Sequence, residues 1–141
     1  MKRMLKVTVL DKKLFPELQQ AYLAKPDSGA CPCFEVGQEF VFERADGRDD
    51  FWHFGGDREP KFPCAEAWDC ISRYIYTGLQ GGSIMHGWTN DDRIMIACCN
   101  NGTRPVIFKI GRFDEPEDEA DRAWLASHDF RIGGDQAYTG A

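Results

Sequence analysis

The sequence predicts a single α+β domain: a small, mainly antiparallel sheet with two or three helices packed on it, in the order β-α-β-α-β-β-α. Three observations carry this. Short segments rich in β-branched and aromatic residues are interspersed with stretches of helical periodicity. A turn cluster, Asn100-Asn101-Gly102-Thr103, joins two apolar segments as a hairpin loop would. A length of 141 residues, 43% apolar and 28% charged, is that of one globular domain with its own core.

The elements follow in order. Residues 4–10 are rich in β-branched and aliphatic side chains and read as the first strand. Residues 15–23 form a short helix: Pro16 suits its first turn, and Leu18, Ala21 and Tyr22 share one face. Residues 25–29, Lys-Pro-Asp-Ser-Gly, end it. Residues 38–44 are the second strand, with Phe40 and Phe42 on one face, and Ala45-Asp46-Gly47 is a turn. Residues 48–62 form a long polar surface excursion with an aromatic tip at Phe51, Trp52, His53 and Phe54. The tip is a lid or a contact surface, or else a loop that packs its own aromatics onto the domain.

Residues 64–77 carry the strongest helical pattern, a stripe of Cys64, Ala67, Trp68, Ile71, Tyr74 and Ile75. Pro63 marks its start, and Gly78 followed by Gly81-Gly82 marks its stop. Residues 93–99 and 105–110 are the hairpin strands, with Pro105 at a strand start or edge because it cannot donate to a ladder. Residues 116–127 form an acidic helix carrying Trp124 and Leu125, and the tail after His128 is Gly-rich and loose. The division expected is an α+β core over 1–112 and an acidic helix with its tail over 113–141.

The net charge of −6 is local. Asp114, Glu115, Glu117, Asp118, Glu119 and Asp121 cluster where a helix N-terminus favours anions; without them acidic and basic residues balance at 17 each. No basic stripe remains, so no nucleic-acid partner is expected. No apolar run approaches the length of about 20 residues that a membrane span needs. The basic start is too short in apolar residues for a signal peptide and is interrupted by Asp11-Lys12-Lys13. The expected location is the cytoplasm, where thiols are free, metal-bound or redox-active rather than structural disulfides.

Six cysteines fall as three close pairs, Cys31/Cys33, Cys64/Cys70 and Cys98/Cys99. Cys64 stands at a helix start, where unpaired amides and the helix dipole favour a thiolate. It also lies on the apolar stripe, where burial would leave it an inert core thiol. Cys98 and Cys99 are consecutive in a strand, so if both are extended their side chains point to opposite faces and only one serves a given site, unless a bulge next to the Asn100-Gly102 turn relaxes this. Cys98 goes with Ile94 and Ile96, Cys99 with Met95 and Ala97. The expected constellation is Cys31, Cys64 and one of Cys98/Cys99, with Cys33 or the loop residue His86 as a fourth ligand. A thiolate-rich set selects soft metals, zinc first. Arg104 is read as the partner of Asp69 or Glu66, or else as a clamp for an anion. There is no phosphate loop, no Gly-x-Ser-x-Gly and no His-Glu-x-x-His.

Three segments together also carry a resemblance: residues 31–40, Cys-Pro-Cys-Phe-Glu-Val-Gly-Gln-Glu-Phe; residues 64–69, Cys-Ala-Glu-Ala-Trp-Asp; and residues 98–109, Cys-Cys-Asn-Asn-Gly-Thr-Arg-Pro-Val-Ile-Phe-Lys. Over most of residues 5–112 the chain resembles a numbered family of small, uncharacterised prokaryotic proteins, which brings no established activity. The resemblance implies that Cys31, Cys64 and the Cys98/Cys99 pair belong to the family pattern. Cys33, Cys70, the aromatic excursion and the tail after Phe113 are departures from it.

The function expected is a thiolate site that binds a soft metal or performs thiol chemistry with Cys64 as the activated residue; whether the chain is an enzyme stays open. The alternative is a non-catalytic binding module or small subunit of a larger enzyme. It would make its contacts through Phe51, Trp52, Phe54 and the acidic helix, with the cysteines filling the core.

Overall fold

The computed structural model describes residues 1–43 and 61–127. Within them lie β1 (Lys2–Lys12), α1 (Pro16–Tyr22), β2 (Glu39–Glu43), α2 (Ala65–Leu79), β3 (Ile94–Cys98), β4 (Val106–Glu115) and α3 (Glu119–Ser127). The order is the expected β-α-β-α-β-β-α, and the four strands form one antiparallel sheet in the order β2-β1-β4-β3. The aromatic stretch with Phe51, Trp52 and Phe54, the turn at 45–47, the side chains of Trp124 and Leu125, and the tail from His128 lie outside the described residues.

The two central strands outrun their sequence boundaries. β1 and β4 pair from Lys2↔Glu115 to Lys12↔Val106, with a register shift between Val9 and Asp11. The expected strands stopped where the apolar residues stop. The ladder continues because Lys2, Arg3, Asp114 and Glu115 satisfy their backbone groups across the pair while their side chains reach water. β4 therefore carries the sheet past residue 112.

Alternation places Leu5, Val7, Val9, Phe40, Phe42, Phe108 and Ile110 on one buried face. α2 covers that face with Ala67, Trp68, Ile71, Ile75 and Leu79. Of the glycines expected to stop the helix, Gly78 lies inside α2. A Cβ there would collide with Leu5 Cδ1, so glycine is what lets α2 lie close on β1. The stop belongs to Gly81, whose φ of 84° is left-handed just beyond the cap residue Gln80. Across the sheet, Lys2 binds Glu43 of β2 at 3.0 Å and Asp121 of α3 at 3.3 Å, tying the acidic helix to the sheet.

α1 reverses the expected orientation. Leu18 and Tyr22 are exposed and the buried residue is Gln19, 2% exposed. Its amide nitrogen donates to Gly29 O at 3.0 Å and to Thr103 Oγ1 at 3.3 Å, and its oxygen accepts from Gly29 N at 2.9 Å. Phe15 N also donates to Thr103 O. The fold spends this helix on stapling the loop before Cys31 to the hairpin turn, not on adding apolar surface to the core.

Candidate functional site: a thiol-rich end of the domain

The cysteine segments are positioned by neighbouring phenylalanines. Cys31-Pro32-Cys33 runs directly into Phe34, 1% exposed, whose ring lies 5.1 Å from Phe108 and 5.4 Å from Phe62. Phe62 in turn leads through Pro63 to Cys64, and its ring packs on Trp68 at 5.7 Å. Phe62 was expected at the end of the surface excursion. It is instead a core residue, because an aromatic just ahead of a helix start staples onto the first turns of that helix.

These anchors bring Cys33 near both Cys31 and Cys64. Cys31 and Cys64 are half-buried against the core. Cys33 is exposed as a residue, yet its thiol is raised above its ordinary value, first by desolvation and then by Cys31, which is within hydrogen-bond reach, and by Cys64. The Arg104 guanidinium works in the opposite direction on the same thiol. Arg104 is half-buried and has no ion-pair partner among the described residues; Glu66 accepts instead from Asn100 Nδ2 at 2.6 Å. The pairing expected for Arg104 is thus replaced by a cation beside a cysteine.

Cys64 is the N-cap of α2, so the helix begins one residue later than expected, and the Cys64 backbone is extended (φ −140°, ψ 118°). Its carbonyl accepts from Trp68 N, and its side chain makes no capping hydrogen bond. The sulfur is therefore not committed to the first amides of the helix.

The other cysteines divide by strand parity. Cys98 pairs with Ile107 on the sheet face away from α2 and is exposed. Cys99, on the α2 side, packs against the core; its N–H donates to Val106 O, and its Sγ accepts from Val106 N at 3.4 Å. Cys70, half-buried on α2, has Cys99 as the strongest of its thiol neighbours and is raised by burial first. His86 stands at the far end of α2, a helix of 15 residues and so about 22 Å long. There it is exposed, with Nδ1 2.6 Å from Asp92 Oδ2. It does not reach the thiols as a fourth ligand. Among the described residues no three His, Cys, Asp or Glu side chains stand in an arrangement that holds a metal ion, and no helix is long and apolar enough to cross a membrane.

The arrangement offers sulfur nucleophiles beside a cation, with a half-buried wall and an open side. Comparisons with family models, with curated proteins and with solved structures returned no match to this chain.

Proposed function

We propose that the protein acts by thiol–disulfide exchange at Cys31, Cys33 and Cys64. The observation that carries this reading is the approach of the Cys33 thiol to Cys31 and Cys64, from two chain segments, beside the guanidinium of Arg104. Thiolates are the attacking species in such exchange, and a fixed cation stabilises them as they form. Cys64 is the attacking residue, since its sulfur is uncommitted at a helix start where amide donors face an anion. It opens a disulfide R–S–S–R to give a mixed disulfide and one RS⁻. Cys33 then attacks the Cys64 sulfur, gives up its proton to solvent and expels the second RS⁻. The balance is two protein thiols and one external disulfide converted to one protein disulfide and two small thiols.

A binding-module reading is favoured by one observation: Leu14, Phe15, Leu18 and Tyr22 expose an apolar stripe along α1. Thiol kinetics on the full chain, purified without reductant or chelator, separate the two. Exchange predicts a fast-reacting thiol that is lost in Cys64→Ser and a Cys33–Cys64 link after reaction. Zinc bound at purification and released by Cys64→Ser would move the same site to soft-metal binding. Six thiols silent until unfolding, with no metal present, would overturn both thiol readings and leave the binding module.

A further inference from the structure

Cys70 and Cys99 play no part in the exchange just described, yet the fold places both where α2 packs on the β3 end of the sheet. α2 packs on β3, and both cysteines are half-buried on the same side of the sheet. Glu66 and Cys70 lie one helical turn apart on α2, so they share a face. Asn100, the residue after Cys99, donates to Glu66 Oε2 at 2.6 Å. That bond draws the end of β3 onto the Glu66–Cys70 face. Cys99 is itself held in register by two bonds with Val106, one to its backbone N–H and one to its sulfur. Cys98 is turned to the opposite face. Parity thus selects one thiol of the Cys98/Cys99 pair for Cys70.

We propose that Cys70 and Cys99 form an oxidisable latch, a modification site at which a small-molecule disulfide joins the first half of α2 to the β3–β4 hairpin. Cys99 attacks the external disulfide R–S–S–R, releasing RS⁻ and leaving Cys99–S–S–R. Cys70 then attacks the Cys99 sulfur, losing its proton to solvent and expelling the second RS⁻. The external disulfide is reduced to two thiols, and the protein loses two hydrogens. Burial first, then the neighbouring Cys99 and the Asp69 and Glu66 carboxylates, raises the Cys70 thiol, so it is slow to react alone. The latch therefore closes only when Cys99 has been charged first, and a reductant opens it.

The test treats the full chain with oxidised glutathione, blocks remaining thiols and maps tryptic peptides. Cys70 falls in peptide 62–73 with Cys64, and Cys99 in peptide 94–109 with Cys98, because trypsin does not cut Arg104–Pro105. The expected result is a crosslink between these two peptides that fragmentation assigns to Cys70 and Cys99. It persists in Cys64→Ser and Cys98→Ser and is lost in Cys70→Ser and Cys99→Ser. Direct fragmentation of the wild-type crosslink keeps the test decisive if a serine variant fails to fold. A crosslink through Cys64 or Cys98, separate glutathione adducts on Cys70 and Cys99, or both thiols untouched would overturn the proposal. Cys31 and Cys33 lie in a third peptide, 14–44, so a Cys33–Cys64 exchange product is scored independently.

Discussion

The rings of Phe34 and Phe62 stand 5.4 Å apart in the core, and each brings a cysteine with it: Cys33 precedes one by a single residue, and Cys64 follows the other by two. The distance between the two thiols is thus governed by an aromatic contact that does no chemistry. Phe62→Leu keeps an apolar side chain and is expected to cost about 1 kcal/mol, whereas Phe62→Ala should cost about 3–5 kcal/mol. Urea unfolding measures both. The Leu variant should also lower the yield of the Cys33–Cys64 link, because its anchor no longer holds the α2 start against Phe34.

Gln19 is the buried polar node under the same end of the domain. Gln19→Ala removes the partners of both the N–H and the carbonyl of Gly29 and the contact with Thr103. A loss of about 2–3 kcal/mol is expected, since buried backbone groups left unpaired cost about 1–3 kcal/mol each and water re-enters part of the site. Faster amide exchange at Gly29, against unchanged exchange in β1, would locate the effect.

Gly78→Ala sets two effects against each other. Alanine is the better helix former by about 1 kcal/mol, but its Cβ would collide with Leu5 Cδ1, on a fully buried side chain. Overpacking costs about 1–3 kcal/mol, so net destabilisation is expected. A melting temperature above wild type would show that Leu5 has room to turn aside.

On the alkaline side, Cys33 and Cys70 are both raised above the ordinary thiol value of 9.0, burial being the first cause in each. The unfolded chain therefore ionises first. The stability these groups contribute is fully present below pH 9.0 and is lost as pH rises through their folded values. Replacing both by alanine should flatten the decline of the melting temperature above about pH 9. An unchanged slope would show that neither thiol contributes to it.

On the acid side, Asp91 is lowered from 3.8 to about 2, first by the Arg93 side chain, whose Nε and Nη2 donate at 3.0 and 2.8 Å, and then by the Arg93 backbone N–H. Its contribution is present above pH 3.8 and is lost as pH falls through about 2. The pair is solvent-facing, so salt should weaken it. Asp91→Asn should remove this acid-side component, and carbon NMR titration of the Asp91 carboxyl in wild type should give a midpoint well under the usual carboxylate range.

Element types and their order were legible because periodicity reports which face of a segment is apolar: Leu5, Val7 and Val9 for a strand, Ala67, Trp68, Ile71 and Ile75 for a helix. Strand parity likewise separated Cys98 from Cys99 before any coordinates. α1 shows the limit. Its apolar residues suggested a buried face, but the hydrogen bonds that decide its orientation go to Gly29 and Thr103, and Thr103 lies 84 residues away. Local pattern holds no record of such a partner.

The sequence by itself determined the antiparallel α+β frame, the α2 stripe and the opposed directions of Cys98 and Cys99, because alternation and helical spacing are properties of consecutive residues. Only the tertiary structure decided which thiols meet. Phe34 packing on Phe62 sets Cys33 near Cys64. The Asn100–Glu66 bond draws Cys99 toward Cys70, and the length of α2 holds His86 away. Each of these is a contact between segments far apart in the chain, selected by how the core closes rather than by the spacing of the residues that make it.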